Sequence, residues 1–250
     1  MILQDFFNEH KKIALGFSGG VDSSYLFYAA KKSGADIKAY YVKSQFQPEF
    51  ELNDAKRLAS GIGAELTIID CDVLSFDEVT INPEDRCYYC KKHIFGTILE
   101  HAREDGYEVI IDGTNASDEV DDRPGMKALT EMEVRSPLRE CGITKDDVRK
   151  LSKEAGLFTW NKPSYACLAT RVPTGEKITA DTLRRIDGAE EVLRLMGFSD
   201  FRIRKRGDIG LLQIPECQMM SVIKMREEIM LGTRPYFKNL VLDLNGRHHE

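Results

Sequence analysis

Segments rich in β-forming residues alternate with helical segments through the first half of this chain, and that alternation restricts the fold more than any other feature. Strands are predicted at 12–17, 37–42, 65–70 and 108–112, and helices at 22–32, 49–60 and 88–105. Strands separated by helices form parallel sheets, which the helices cover on both faces. We therefore expect an α/β fold with a parallel, doubly wound sheet and a ligand site at the carboxyl ends of its strands.

The pattern changes at residues 159–179, where three Gly or Pro residues interrupt a stretch with little periodicity. Such a stretch is typical of a long loop, and we place a domain boundary there. The segments after it are a helix, two strands, a helix and a strand, at 179–196, 201–206, 210–215, 216–230 and 236–243. We expect one domain at 1–160 and a smaller α+β domain at 161–250.

Composition narrows the class of protein. The formal net charge of −6 argues against a dedicated nucleic-acid binder, which would usually be basic. The first residues, MILQDFFNEHKK, carry acidic groups and lack the apolar region of a secretory signal. No apolar run approaches the roughly 20 residues that cross a bilayer. We expect a cytoplasmic protein without a membrane partner, whose six cysteines are thiols or metal ligands.

The stretch LGFSGGVDSS, residues 15–24, follows the first predicted strand and opens the first predicted helix. Its glycines let the backbone approach an anion, its hydroxyls donate to one, and the helix N-terminus adds a positive dipole end. The stretch resembles the S-G-G-x-D-S loop of the PP-loop ATP pyrophosphatases, which have an adenine nucleotide alpha hydrolase-like fold. That resemblance implies ATP and Mg²⁺, held by Ser18, Gly19, Gly20, Asp22, Ser23 and Ser24, with Asp22 near the metal.

A second polar loop, IDGTNASDEVDDRPG at 111–125, follows another predicted strand and should lie at the same edge of the sheet. Gly113 and Asn115 resemble the turn that these ATPases place beside the nucleotide. Carboxylates suit Mg²⁺ and an arginine suits a phosphate or a carboxylate, although such a cluster is also typical of a solvated turn. The candidate residues are Asp118, Glu119, Asp122 and Arg123.

Cys87 and Cys90 stand at i and i+3 at the start of a predicted helix, with basic residues on both sides. The spacing suits half of a zinc site, a redox dithiol, two ligands of an iron–sulfur cluster, or two inert thiols. Zinc would need a fourth ligand beside Cys167, and the other cysteines show no paired spacing. The residues alone leave these four chemistries open.

A basic strand is predicted in the second domain. The stretch FRIRKR, 201–206, alternates so that Arg202, Arg204 and Arg206 share one face. A row of guanidinium groups suits bidentate capture of a phosphate or of carboxylates. A solvated strand face with ion pairs is the alternative interpretation.

Five stretches in chain order, SGGVDSS, PEDRCYYCKK, DEVDDRPGMKA, NKPSYACLATRVPTG and FRIRKR, resemble the LarE family over nearly the whole chain. Members of this family are ATP-dependent sulfurtransferases of nickel-pincer nucleotide cofactor biosynthesis. They adenylylate a carboxylate of pyridinium-3,5-biscarboxylic acid mononucleotide, convert it to a thiocarboxylate, and repeat the chemistry on the second carboxylate. The resemblance implies a small-molecule nucleotide substrate, a sulfur donor that the sequence does not identify, and a homo-oligomer.

The same resemblance implies sulfur chemistry at Cys167. In one kind of member the cysteine at this position gives up its own sulfur. In the other it joins a C-x-x-C pair to hold a 4Fe-4S cluster, whose open iron can carry a hydrosulfide. Cys87, Cys90 and Cys167 match the second kind. Arginines of the basic strand bind the substrate phosphate in this family, which implies Arg202 and Arg204, with Arg171 in the preceding loop.

Three other functions fit part of the pattern. A tRNA thiolase also pairs a PP-loop with cysteines, but it needs an RNA surface that the acidic composition does not favour. An amide-forming PP-loop ligase would leave the cysteines unexplained. A non-enzymatic nucleotide or metal sensor would bind ATP without releasing pyrophosphate.

Overall fold

The computed structural model describes residues 2–118 and 124–247. The chain divides into two compact units. The first unit contains Met1–Val73 and Asp85–Lys162, and the second contains Leu74–Glu84 and Pro163–Glu250. The functional domains expected at 1–160 and 161–250 stay a prediction, since a division by contacts does not test what each part does.

The predicted helices and strands are present in the predicted order over the described residues, together with helices that the sequence did not predict. The α-helices are α1 (Leu3–Glu9), α2 (Val21–Lys32), α3 (Glu49–Ile62), α4 (Asp77–Thr80), α5 (Arg86–Glu104), α6 (Pro124–Glu131), α7 (Pro137–Glu140), α8 (Lys145–Glu154), α9 (Ala180–Leu195), α10 (Glu216–Lys224) and α11 (Arg226–Thr233). The strands are β1 (Lys12–Gly16), β2 (Asp36–Lys43), β3 (Glu65–Asp70), β4 (Val109–Ile111), β5 (Arg202–Arg206), β6 (Ile209–Gln213) and β7 (Asn239–Leu242). Helices α1, α4, α6 and α7 were not predicted from the sequence. Within the described ranges, none of the helices is long and apolar enough to span a membrane.

The first unit is built on a parallel sheet with the strand order β3-β2-β1-β4. This confirms the predicted α/β fold. The chain moves outward from β1 to β2 and β3, and then returns to place β4 on the other side of β1. The chain continues from β1 into α2 on one face of the sheet and from β4 towards α6 on the other face. The crevice where the chain leaves these two neighbouring strands is where open α/β sheets bind ligands.

The central strands β1 and β2 are mostly buried on both faces, as the helices between the strands predict, whereas the edge strand β3 is partly exposed. Ile13 and Leu15 of β1 belong to one apolar core, which also contains residues of α2 and α3. Ala14 lies between them in the sequence and belongs to the other core, with Phe95 and Ile98 of α5. The alternation of side chains along a strand thus divides β1 between two cores, and it fixes which helices lie on each face.

The second unit contains a three-stranded sheet in the order β5-β6-β7, with β5 antiparallel and β7 parallel to β6. The predicted first helix, the two strands after it and the final strand are confirmed in order. The single helix predicted at 216–230 is wrong, because the chain breaks at Met225 into α10 and α11. Residues 74–84 also pack here: the Asn82 side-chain amide donates to the Pro173 carbonyl at 2.8 Å, and the Ile178 N–H donates to the Thr80 carbonyl at 2.8 Å.

Two glycines test how α5 packs on β1. A Cβ on Gly16 would lie 2.7 Å from the Phe95 ring, whereas a Cβ on Gly96 would meet nothing within 4 Å. We expect Gly16→Ala to lower the free energy of unfolding of the first unit by about 1–3 kcal/mol through overpacking. Gly96→Ala should raise it by about 0.5–1 kcal/mol, because alanine favours a helix interior. Denaturant titration measures both, and equal effects of the two variants would contradict the packing described here.

Candidate active site

A pocket of about 530 Å³ opens in the first unit where β1 and β4 end. The loop after β1, the loop after β4 and one face of α5 contribute its walls. The predicted site residues that line it are Ser18, Asp22, Ser23, Cys87, Gly113 and Asp118. Residues that are far apart in the sequence, including one of the two paired cysteines, are thus brought to one cavity.

The loop after β1 is shaped to leave its polar groups available. Gly19 has a φ of 75°, a conformation that favours glycine. The Ser18 and Ser23 hydroxyls are 3.1 Å apart, and the Ser23 hydroxyl donates to the Gly20 carbonyl at 3.3 Å. Gly20 is the residue before α2, so the helix N-terminus faces the same loop. This arrangement of hydroxyls, N–H groups and a positive helix end can bind phosphate.

Lys162 connects the loop after β1 to helix α3. Its ammonium donates to the Gly19 carbonyl at 3.3 Å and forms ion pairs with Glu51 at 3.1 Å and Asp54 at 2.7 Å. Sequence patterns do not identify this role, because Lys162 lies 143 positions from its loop partner. The lysine fastens the loop to α3 and fixes its position relative to the sheet.

The loop after β4 approaches the first loop very closely. A Cβ on Gly113 would lie 2.8 Å from the backbone nitrogen of Ser23, so only glycine fits without displacement of one loop. Asp112 precedes it, and its carboxylate accepts hydrogen bonds from the Thr114 backbone at 3.2 Å and from the Ser136 hydroxyl at 2.7 Å. The buried Asp112 therefore shapes the turn that carries Gly113.

Asp22 is the carboxylate that both loops share. Its oxygens accept from the Asn115 side-chain amide at 3.3 Å and from the Lys145 ammonium, with which it forms an ion pair. Burial raises the pKa of Asp22, and the nearby Lys145 cation offsets part of that rise. Asp118 accepts the Asn115 N–H at 3.0 Å and lines the same pocket. Asp22 and Asp118 have the oxygen chemistry that Mg²⁺ prefers.

The other predicted residues of the two loops do not line the pocket or lie outside the described residues. Ser24 is fully buried in α2, and its hydroxyl has no hydrogen-bond partner in the part of the chain that the structure describes. Glu119, Asp122 and Arg123 lie outside the described residues. Tyr41 was not predicted: it lines the pocket, and its buried hydroxyl also lacks a partner among the described residues. An unsatisfied polar atom in a pocket wall fits a cavity that binds a polar ligand such as ATP.

The paired cysteines lie at the start of α5. Cys87 is exposed and lines the pocket, and Cys90 is half-buried one turn later. A guanidinium nitrogen of Arg86 lies 3.7 Å from the Cys87 sulfur. Lys91 lines the pocket beside them, with its stem against Gly125, and burial lowers its pKa while Asp112 and Cys87 partly oppose that effect. This is a basic environment for thiolate sulfur.

The two cysteines of α5 could supply some, but not all, of the ligands of a metal ion or cluster. Two accessible thiols one helical turn apart can bind two irons of one cubane. Across residues 2–118 and 124–247, no three His, Cys, Asp or Glu side chains converge to hold a metal ion. Cys167 belongs to the second unit, so the structure supports a pair of ligands in the first unit and leaves the third a prediction.

Cys167 lies in the second unit at the start of a short 3₁₀ turn, Leu168–Arg171, and is half-buried. Its carbonyl accepts from the Thr170 N–H at 3.0 Å and the Thr170 hydroxyl at 2.9 Å. Arg171, expected to contact substrate, is fully buried and forms an ion pair with Glu190 at 2.9 Å. Its role as a substrate ligand stays a prediction, and its guanidinium already has protein partners.

The basic strand borders a small polar pocket of about 300 Å³ in the second unit. Arg204 and Arg206 line it together with residues 170–174, whereas Arg202 is buried. Arg204 donates to the Thr170 carbonyl at 2.7 Å and to the Gln213 side chain at 2.6 Å. The cavity thus contains Arg206, which the family resemblance alone does not select.

The sequence of this chain is similar to those of several known proteins. A family model described as queuosine biosynthesis protein QueC matches residues 12–81, which include the phosphate loop. The chain is 32% identical over 239 residues to pyridinium-3,5-bisthiocarboxylic acid mononucleotide synthase of Lactiplantibacillus plantarum, covering 94% of this chain and 87% of that protein.

Two further relatives show how far the similarity extends along the chain. The chain is 35% identical over 251 residues to an uncharacterized protein of Synechocystis, covering 98% of this chain and 92% of that protein. It is 25% identical over 195 residues to the tRNA-specific 2-thiouridylase MnmA of Thermotoga maritima, covering 60% of this chain and 54% of that protein. The similarity to the thiouridylase is thus partial, and the similarity to the mononucleotide synthase spans nearly the whole chain.

The Asp22–Lys145 pair predicts a pH effect. Lys145→Met removes the cation that holds the Asp22 pKa down, so this pKa should rise further. Because Mg²⁺ needs the ionised carboxylate, Mg²⁺-dependent binding of an ATP analogue should be lost at a higher pH than in the wild type as the pH falls. Calorimetric titration across a pH series measures this midpoint. Lys150→Met, on the exposed side of the same helix, is the control, and a shared midpoint in all three proteins would contradict the assignment.

Proposed function

Because the chain belongs to the LarE family, the pyridinium-3,5-bisthiocarboxylic acid mononucleotide synthases, we propose that it converts carboxylates of pyridinium-3,5-biscarboxylic acid mononucleotide to thiocarboxylates through an acyl-adenylate. Family membership makes it an ATP-dependent sulfurtransferase. The observation that supports the chemistry is the pocket itself, where Cys87 shares one cavity with Ser18, Asp22 and Ser23.

The first step is activation of the carboxylate. The β,γ-phosphates of ATP bind the hydroxyls of Ser18 and Ser23 and the N-terminus of α2, and Asp22 and Asp118 hold Mg²⁺ beside them. The substrate carboxylate attacks the α-phosphorus, the bond to the β-phosphate oxygen breaks, and pyrophosphate leaves. The chain contributes position and charge, which is most of what catalysis of phosphoryl and nucleotidyl transfer requires.

Sulfur then displaces AMP from the activated acyl group. We propose that Cys87, Cys90 and Cys167 hold a 4Fe-4S cluster, which when bound would supply the sulfur. The residues that the structure places around the first two thiols are basic, with Arg86 and Lys91 nearest. Their positive charge favours thiolate ligands and an anionic acyl-adenylate in the same cavity.

Substrate recognition is proposed for the second unit. The phosphate of the mononucleotide suits the small polar pocket, where Arg204 and Arg206 present guanidinium groups next to residues 170–174. Arg202 and Arg171, named by the family resemblance, are buried and would contribute through the position of the strand and the loop. A homo-oligomer and an external sulfur donor that reloads the site stay part of this proposal.

Pyrophosphate release tests the reaction. With ATP and Mg²⁺, the protein should release pyrophosphate when pyridinium-3,5-biscarboxylic acid mononucleotide is added, and much less without it. AMP should follow when sulfur is also supplied. Thiocarboxylate formation, followed by mass spectrometry, should depend on the sulfur donor. Release stimulated by tRNA alone would replace this proposal with a tRNA thiolase, which the partial similarity to MnmA makes the second candidate. Tight ATP binding with no release would indicate a sensor.

Iron analysis tests the cluster separately. Protein purified without oxygen should contain about four irons and four sulfides per chain. Cys87→Ser and Cys167→Ala should each lose the iron and the sulfur transfer but retain pyrophosphate release. Cys217→Ser changes an exposed cysteine outside the proposed ligand set and should retain the iron. Stoichiometric zinc without iron would contradict the cluster.

A further inference from the structure

Arg171, in the Cys167 loop, forms a buried ion pair with Glu190. The side chains of Arg171 and Glu190 are 0% and 1% exposed, and they meet through two hydrogen bonds of 2.9 and 3.3 Å. Arg171 belongs to the loop, and Glu190 belongs to α9. Charges are rarely buried so completely unless they are paired and hydrogen-bonded.

Arg171 uses its remaining donors on the loop itself. One guanidinium nitrogen donates to the Ala166 carbonyl at 2.7 Å, to the Cys167 carbonyl at 3.4 Å and to the Thr170 hydroxyl at 3.0 Å. These acceptors belong to Cys167 itself and to residues on both sides of it in the sequence. A rigid, planar donor thus fixes the backbone at the proposed cluster ligand.

Glu190 extends the same network to two other elements. Its carboxylate accepts from the Tyr165 hydroxyl at 2.8 Å and from the Ile203 N–H of β5 at 2.9 Å. Arg204, on the same strand, donates to the Thr170 carbonyl at 2.7 Å. One carboxylate therefore ties together the loop of Cys167, helix α9 and the basic strand.

We infer that Glu190 is a positioning residue, which acts through Arg171 to hold Cys167 in a fixed orientation beside the basic strand. The inference rests on the proposed function, in which Cys167 takes part in sulfur transfer. The carboxylate of the glutamate is occupied by Arg171, Tyr165 and the Ile203 N–H, so we assign it no contact with the reacting atoms. Glu190 fixes the orientation of the Arg171 guanidinium, and the guanidinium fixes the backbone that carries the Cys167 thiol. When Glu190 loses its charge, Arg171 loses this restraint and the Cys167 loop becomes more mobile.

Stability alone does not account for such a pair. Buried ion pairs can often be replaced by apolar residues at little cost, so their presence is weak evidence of a stabilising role. The same unit offers a comparison in Asp200 and Arg247, whose side chains are 7% and 9% exposed and meet at 3.0 Å. That pair joins the turn before β5 to the C-terminal segment, and it provides a matched control.

The experiment compares Glu190→Gln with Asp200→Asn in the full chain without iron. Each variant changes a carboxylate whose side chain is less than 10% exposed to an amide, and each removes the charged partner of an arginine. The measurement is the rate at which iodoacetamide labels each cysteine, followed by mass spectrometry of the peptides. We expect Cys167 in Glu190→Gln to label about fivefold faster or more, because labelling follows local opening of the loop. The rate at Cys217, in α10 of the same unit, should not change.

Asp200→Asn should leave the Cys167 rate at the wild-type value. If Glu190→Gln does not fold, Arg171→Lys is the second variant, since lysine keeps the charge but cannot span Glu190 and the Ala166 carbonyl together. A Cys167 rate within about twofold of wild type in the folded variant would overturn the inference. A similar increase in both carboxylate variants would also overturn it, because it would indicate a loss of stability alone.

The labelling uses neither ATP nor substrate, so it separates this inference from the proposed function. If Cys167→Ala retained sulfur transfer, the proposed role of Cys167 in sulfur transfer would be refuted. The labelling result would still show whether Glu190 holds the loop in place. If both hold, Glu190→Gln should lower kcat for thiocarboxylate formation and leave the affinity for ATP unchanged. That split is not expected from Asp200→Asn.

Discussion

The site in the first unit depends on one close approach, between Gly113 in the loop after β4 and the backbone nitrogen of Ser23 in α2. The strand order makes β1 and β4 neighbours, so their loops leave the sheet side by side. With any larger side chain at 113 the loops would separate. Contact between them lets the Asn115 amide reach Asp22 and closes one wall of the pocket.

Helix α5 places the Cys87 sulfur at the same cavity, and this position also depends on close packing against a glycine. Phe95 packs against Gly16 at the end of β1, which draws the first turns of the helix over the carboxyl edge of the sheet. Cys87 then lies at the pocket and Cys90 one turn behind it. The surrounding cations are not equivalent: Lys92 forms an ion pair with Glu131 at 2.7 Å, whereas Lys91 faces the pocket.

Local patterns predicted the parallel sheet, the phosphate loop and the cysteine pair, because each is encoded within a short stretch of sequence. Lys145 and Lys162 could not be found in this way, since their partners lie 123 and 143 positions away. Glu190 did leave a signal. It stands on the stripe of α9 that buries Leu183, Ile186 and Leu193, and an acidic residue in an apolar stripe indicates a buried partner.

The charges of the pocket explain why a divalent cation should accompany ATP. Over residues 2–118 and 124–247, Asp112 accepts hydrogen bonds from Thr114 and Ser136, whereas Asp22 and Asp118 line the pocket together with the phosphate loop. The Lys145 cation is already paired with Asp22. A triphosphate that entered alone would meet two carboxylates at the mouth of a site built to attract anions. In the function proposed above, Mg²⁺ between phosphate and carboxylate would convert that repulsion into attraction, so that Asp22 and Asp118 would favour the metal complex of the nucleotide.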